Sequence, residues 1–134
     1  MKKRVLVIDD DPGVRLTLQH ILEAAGYDVQ SVWDGKAVLE AFRSFVPDVV
    51  ITDLVMPGLE GTAIIAALKQ EPFPTKIIAV SGGARLGRTN ILQHAQDAGA
   101  DEILAKPFTV EQLKGVLVSV SPPTDADNKV LQYL

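Results

Sequence analysis

Short apolar runs alternate with stretches whose apolar residues recur every three or four positions, and the alternation repeats five times along the chain. Val5-Leu6-Val7-Ile8 is continuously apolar, the pattern of a strand buried on both faces of a parallel sheet. Val14, Leu18, Ile21, Leu22 and Ala25 then fall at helical spacing, and Gly26 stops that helix. Asp28 to Val32 alternates as a short strand nearer the sheet edge. Ala37, Val38, Ala41, Phe42 and Phe45 mark a second amphipathic helix, closed by Pro47. Val49-Val50-Ile51 predicts a third strand, and Ile64, Ile65 and Leu68 line a third helix. Ile77-Ile78-Ala79-Val80 is the fourth strand. A glycine- and arginine-rich loop follows, then a helix through Ile91, Leu92, Ala95 and Ala98 to Gly99. Glu102-Ile103-Leu104 is the fifth strand, and Val110, Leu113, Val116 and Leu117 face inward from the last helix. Trp33 is expected to pack at the end of the second strand.

Five strand–helix units in one small domain require a parallel sheet with helices on both faces. Right-handed crossovers leave few strand orders, and the flavodoxin-like three-layer α/β arrangement, with a five-stranded parallel sheet in the order 2-1-3-4-5, fits. Ligands in such sheets bind beyond the C-terminal ends of the strands, here around strands one and three. The pattern ends near residue 120. Residues 1–120 are therefore expected to form the domain, and residues 121–134, opening Ser121-Pro122-Pro123-Thr124-Asp125, a short tail with no output domain.

Composition narrows the chemistry. At 134 residues, 47% apolar and 22% charged, the chain is ordinary for a globular domain rather than a disordered one. It has no cysteine, which excludes a disulfide scaffold, a thiol nucleophile and a thiolate zinc site, and its two histidines, His20 and His94, are too few for a multi-histidine metal centre. The net charge is −4 and the 13 lysines and arginines are scattered, so no basic stripe for nucleic acid is expected. No apolar run reaches the ~18 residues of a membrane span. Met1-Lys2-Lys3-Arg4 opens like a signal peptide, but its apolar run stops at Ile8 and aspartates follow, so a cytoplasmic location is expected.

The polar residues at the strand ends carry the function. Strand one runs into Asp9-Asp10-Asp11, strand three ends Thr52-Asp53, strand four ends Val80-Ser81, and strand five leads to Ala105-Lys106-Pro107. Two carboxylates about 4 Å apart repel by about 4 kcal/mol at an effective dielectric of 20, a cost that a hard divalent cation removes. Mg²⁺ is commonly held by one or two carboxylates, waters and a phosphoryl oxygen. A carboxylate can also accept a phosphoryl group as an acyl phosphate. Lys106 offers a flexible charge for a phosphoryl oxygen, and the Ser81 hydroxyl a short donor. Each residue alone has a plainer explanation: Asp11 before Pro12 reads most simply as an N-cap, Asp9 and Asp10 could end a strand, and Asp53 or Ser81 could be turn residues. Their joint placement at four strand ends is what those explanations leave out.

Val5-Leu6-Val7-Ile8-Asp9-Asp10-Asp11, Thr52-Asp53-Leu54-Val55-Met56-Pro57-Gly58-Leu59-Glu60-Gly61, Val80-Ser81-Gly82 and Lys106-Pro107-Phe108 together resemble the receiver domain of bacterial response regulators. The resemblance spans residues 4 to about 119 and is closest in kind to a stand-alone, chemotaxis-regulator-like receiver. It implies a module of a two-component system or phosphorelay, which takes a phosphoryl group from a sensor histidine kinase or a histidine phosphotransfer protein. Asp53 matches the phosphoacceptor of D-x-x-M-P. Asp10 would bind Mg²⁺ directly together with Asp53 and the backbone carbonyl of Val55, and Asp9 would act through a bound water. Ser81 and Lys106 match the switch hydroxyl and the phosphoryl-binding lysine, and the Lys106-Pro107 bond is expected to be cis. Such a module is not an enzyme toward other molecules; it catalyses only its own phosphorylation and dephosphorylation. Its output partner is unknown, and neither nucleic acid nor membrane is expected to bind it directly.

The sequence departs from that pattern in places. The usual switch aromatic, three residues before the lysine, is Ile103, so coupling from Ser81 to the face of helix four, strand five and helix five cannot use a tyrosine. Gly83 and Val55 flank the expected approach of a hydrolytic water, and neither side chain can orient it. Arg85 and Arg88, in the loop after Ser81, either engage a partner or are simply solvated. Two rival readings remain at this stage. A haloacid-dehalogenase-type phosphatase would use Asp9-x-Asp11 with Asp9 as nucleophile, although Gly13 and the short chain fit it poorly. A flavodoxin-like electron carrier would need a phosphate loop where three aspartates stand.

Overall fold

The computed structural model describes residues 2–56, 59–81 and 95–122. In chain order its elements are β1 (Arg4–Ile8), α1 (Pro12–Ala24), β2 (Asp28–Val32), α2 (Gly35–Phe45), β3 (Val49–Asp53), β4 (Val55–Met56), β5 (Leu59–Glu60), α3 (Gly61–Lys69), β6 (Lys76–Ser81), α4, described over residues 95–98, β7 (Glu102–Ala105) and α5 (Val110–Val120). Five strands form one sheet in the order β2-β1-β3-β6-β7, all parallel, which is the expected 2-1-3-4-5 order. The register aligns Ile8 with both Val32 and Thr52, Asp53 with Val80, and Ser81 with Ala105. That register brings the C-terminal ends of β1, β3, β6 and β7 level with one another.

Alternation along each strand divides the core between two faces. Val5, Val7, Val49, Ile51, Ile78 and Val80 pack with Leu18 and Leu22 of α1 and with Leu113 and Leu117 of α5. Leu6, Ile8, Val50, Ile77 and Ala79 pack on the other face with Phe42 of α2, Ile65 and Leu68 of α3, and Ala95 of α4. The central strands β1, β3 and β6 are buried along nearly their whole length because helices cover both faces. Helix ends follow capping chemistry. The Asp34 carboxylate accepts from Lys36 N–H at 3.0 Å, and Thr109 and Gln112 form a reciprocal capping box at the start of α5. Gly26 ends α1 at a φ of +96°, a backbone conformation that a side chain would strain.

Three expectations need correcting. Ala25 is the exposed C-cap of α1 rather than part of its inner face, because the helix has ended before its side chain can turn inward. Val110, the first residue of α5, is 38% exposed rather than inward-facing. Trp33 is 62% exposed and does not pack into the core: it lies one residue past the end of β2, the edge strand of the sheet. The two-stranded antiparallel hairpin of β4 and β5, pairing Val55 with Glu60 and Met56 with Leu59, was not foreseen at all.

The end of α2 holds local strain. Val46 caps that helix at φ +50°, ψ +65°, donating its N–H to the Phe42 carbonyl at 2.9 Å. A β-branched residue in this left-handed region costs of order 1–3 kcal/mol, and Val46 is 44% exposed, so little packing offsets it. Val46→Gly is expected to raise stability by about 0.5–1 kcal/mol after allowing for the entropy glycine adds to the unfolded chain. Thermal unfolding checks this, and a lower Tm in the variant would show that the valine is not strained.

Candidate functional site

The site is built by the strand ends. Asp9 follows the last residue of β1, donates its N–H to the Val32 carbonyl at 3.2 Å, and is only 3% exposed. Its Oδ1 accepts the Asp11 N–H at 2.9 Å. Asp10 is exposed. Asp11 turns away from the cluster: its Oδ1 accepts from Gly13 N–H at 2.8 Å and Val14 N–H at 3.3 Å, capping α1 with Pro12 at the first helical position. The plainer explanation of Asp11 is the correct one, while Asp9 and Asp10 are left to the site.

Asp53 ends β3 and is 9% exposed, beside the fully buried Thr52. Carboxylate oxygens of Asp9, Asp10 and Asp53 all lie within 4.8 Å of one another. Lys106 reaches into this group from the turn after β7, with Nζ 3.3 Å from Asp53 Oδ2 and 3.5 Å from Asp9 Oδ2. It is brought there by the β6–β7 register. The Ser81 carbonyl accepts the Lys106 N–H at 2.9 Å, and the Lys106-Pro107 bond is cis, as expected. Ser81, at the end of β6, is 1% exposed. Val55 opens β4 two residues after Asp53, so its carbonyl belongs to the same end of the sheet. Gly83, Arg85 and Arg88 lie outside the described residues.

Among the described residues, the electrostatics follow from a cluster of three carboxylates, two of which pair with the Lys106 ammonium. Burial pushes the Asp9 carboxyl above its ordinary range, and Asp53 adds to the rise, against the Asp11 N–H and Lys106, which both favour the ionised form. Burial alone would lower Lys106, but the adjacent Asp53 and Asp9 carboxylates outweigh it and hold the ammonium above its usual range. The cluster retains an excess of negative charge. All-oxygen, carboxylate-rich donors at this spacing suit a hard divalent cation of the Mg²⁺ kind, so the residues present fit such a group.

Two features escaped the sequence reading. Arg15, in the first turn of α1, donates from Nη1 to the Asp9 carbonyl at 2.8 Å. The available signal was its position, since long side chains on a helix lean back toward its N-terminus. A groove of about 680 Å³ also flanks the site, between Val14, Thr17 and Ile21 of α1 and the Lys106-Pro107-Phe108 turn. Ile103, in place of the usual aromatic, is partly buried against the core face that contains Ala95. No described helix is long and apolar enough to cross a membrane.

Comparison with known proteins agrees with this geometry. The family model of the response regulator receiver domain matches residues 5–118. The response regulator MprA of Mycobacterium sp. (strain KMS) is 32% identical over 140 residues, covering 100% of this chain and 59% of that protein, and the MprA of Mycolicibacterium vanbaalenii is 35% identical over 115 residues, covering 84% of this chain and 48% of that protein. The chain thus spans about half the length of these relatives. Among solved structures, the chemotaxis response regulator CheY4 of Vibrio cholerae superimposes with a TM-score of 0.77 at 30% identity, covering 90% of this chain and 99% of that one. A signal receiver domain from Bermanella marisrubri gives a TM-score of 0.80, also at 30% identity, covering 90% and 98%. With its sheet order, its acidic strand ends and a family match across most of its length, the chain belongs to the response regulator receiver domains of two-component systems.

Proposed function

We propose that this receiver accepts a phosphoryl group on Asp53 and uses the change to alter its affinity for a partner. The observation that carries the proposal is the placement of Lys106 Nζ 3.3 Å from Asp53 Oδ2, inside a group of three carboxylates within 4.8 Å. In the transfer, an Asp53 carboxylate oxygen forms the new bond to phosphorus as the bond to the donor's leaving group breaks. Lys106, already paired with Asp53, moves its positive charge onto a phosphoryl oxygen, and the buried Ser81 hydroxyl at the neighbouring strand end donates to another. Asp10, Asp53 and the Val55 carbonyl would hold Mg²⁺, with Asp9 acting through a water. The cation, when bound, neutralises charge on the carboxylates and on the transferred group. The phosphatase reading would need Asp9, whose Oδ1 accepts the Asp11 N–H, as nucleophile, whereas the receiver-family match over residues 5–118 favours Asp53.

Activity of this kind is confined to the chain's own phosphorylation and dephosphorylation. The donor would be a sensor histidine kinase or a histidine phosphotransfer protein. The responding surface would be α4, β7 and α5, with Ile103 coupling by packing, since its side chain cannot hydrogen-bond. Residues 1–120, through the end of α5, would form the receiver unit. Intact mass after incubation with acetyl phosphate and Mg²⁺ tests the proposal, and a native chain that gains no phosphoryl group would overturn it.

The cation has its own test. Because Asp9, Asp10 and Asp53 repel one another in the folded state alone, a ligand that binds only there raises stability by mass action. Mg²⁺ at millimolar concentration is expected to lift the Tm, and Asp10→Ala to erase the lift. An equal lift in both chains would remove Asp10 from the ligand set.

A further inference from the structure

We infer that Arg15 is a positioning residue for the acidic pair Asp9-Asp10, acting through the peptide that joins them. The inference rests on the reading above, in which Asp10, Asp53 and the Val55 carbonyl hold a divalent cation and Asp9 acts on it through a water.

The β1 ladder ends at Ile8, paired with Val32 and Thr52, so the chain leaves the sheet at Asp9. What fixes it beyond that point is a set of separate contacts. The Asp9 N–H is held by the Val32 carbonyl at 3.2 Å, and its carboxylate Oδ1 by the Asp11 N–H at 2.9 Å. The Asp9 carbonyl receives the Arg15 guanidinium, Nη1 donating at 2.8 Å. That carbonyl and the Asp10 nitrogen share one planar peptide unit, so the guanidinium sets the plane from which Asp10 departs. Asp10 is exposed, and its direction is therefore governed by that peptide more than by packing. Arg15 is itself placed by α1, where its N–H donates to the Asp11 carbonyl at 3.0 Å in the first turn. One helix thus caps itself on Asp11 and reaches back from Arg15 to hold the residue before the exposed ligand.

The sign of the effect separates this role from a simple charge effect. A guanidinium that acted only as a nearby positive charge would repel the cation, and its removal would tighten Mg²⁺ binding. A guanidinium that orients the ligand pair does the opposite: its removal lets the Asp9-Asp10 peptide turn, and binding weakens. Groups that orient metal ligands typically change affinity 10–100-fold when removed, and a backbone tether belongs at the lower end, about tenfold or about 1.4 kcal/mol.

The experiment is a Mg²⁺ titration of the native chain, Arg15→Ala and Arg15→Lys, well below each Tm. Binding is followed by the emission of Trp33, one residue from the Val32 carbonyl that holds Asp9, and in parallel by the Mg²⁺-dependent rise in Tm. The expected result is about tenfold weaker binding in Arg15→Ala and an intermediate affinity in Arg15→Lys, which keeps the charge but not the planar fork. Unchanged or tighter binding in Arg15→Ala would overturn the inference and leave the phosphoacceptor reading standing. Should Arg15→Ala fail to fold, Arg15→Lys decides, with binding weaker by about threefold in support and equal or tighter binding against. A native chain that binds no Mg²⁺ by either readout would overturn the cation reading and this inference together.

Discussion

Incubated with acetyl phosphate and Mg²⁺, the native chain is expected to gain one phosphoryl group, and Asp53→Asn none. The loss should be complete because the amide cannot form an acyl phosphate, and because Asp10 would hold the cation while Asp9 and Asp11 accept backbone N–H groups. Asp9 is 3% exposed, with one oxygen on the Asp11 N–H and the other facing Lys106, while Asp11 is an N-cap. The fold should survive. Asparagine removes one negative charge from three carboxylates within 4.8 Å, and its carbonyl can still accept from Lys106. Relief of repulsion and loss of the ion pair are opposed, so the Tm is expected to be equal or slightly higher. Intact mass followed by peptide mapping checks both parts. Label on Asp9 in the variant would return the phosphatase chemistry to favour, and a collapsed Tm would show that Asp53 is structural.

The contrast between Asp11 and its neighbours shows how far local rules reach. Capping preference alone separates Asp11, which Pro12 follows, from Asp9 and Asp10, and the Gly13 and Val14 N–H bonds agree. The parallel sheet was equally legible, because strands covered on both faces must be apolar at every position, as Val5 to Ile8 are. What joined those strand ends into a site was the register, which places Ser81 beside Ala105 and so delivers Lys106 to Asp53 and Asp9. Register is a tertiary property, and only the strand order implied by the βα repeat made it inferable.

Other features lay below the resolution of periodicity. β4 and β5 hold two residues each around Pro57-Gly58, too few for an alternation to register. Trp33 misled because bulk apolarity favours burial without saying whether an element continues, and β2 stops at Val32. Val46 offered no warning of a left-handed cap, a position where glycine or asparagine is the usual signal. Arg15 is an ordinary residue in the first turn of an amphipathic helix, and its contact with the Asp9 carbonyl depends on where α1 starts relative to the end of β1. Short-range chemistry was legible wherever one residue satisfies its near neighbours. It failed where no residue type marks the conformation, as at Val46, or where the partner is supplied by another element, as for Arg15.

Lys106→Met is expected to slow phosphorylation about 10²-fold while making Mg²⁺ more stabilising than it is for the native chain. The lysine and a bound cation would neutralise the same carboxylates, so deleting one would raise the field available to the other. In the native chain Lys106 Nζ lies 3.3 Å from Asp53 and 3.5 Å from Asp9, and their side chains are 11% and 5% exposed. Methionine keeps the apolar stem but leaves those carboxylates without that charge. Because the lysine side chain is itself 30% exposed, solvent screening limits the cost without Mg²⁺ to about 1–2 kcal/mol near neutral pH. The pH dependence carries the same sign. Lys106 is held above its ordinary value of 10.5, so its contribution is complete below that pH and disappears as pH rises through the elevated value in the folded state. The native chain should therefore lose stability in that alkaline window relative to Lys106→Met. Phosphorylation is expected to fall because the Lys106 ammonium no longer takes up charge on the transferred group, even when Mg²⁺ has restored stability. Thermal unfolding across pH, with and without Mg²⁺, combined with labelling rates by intact mass, separates the two effects. Equal Mg²⁺-induced rises in Tm for both chains would mean that Lys106 does not share the field of the acidic cluster, and an unchanged labelling rate would remove it from the transfer.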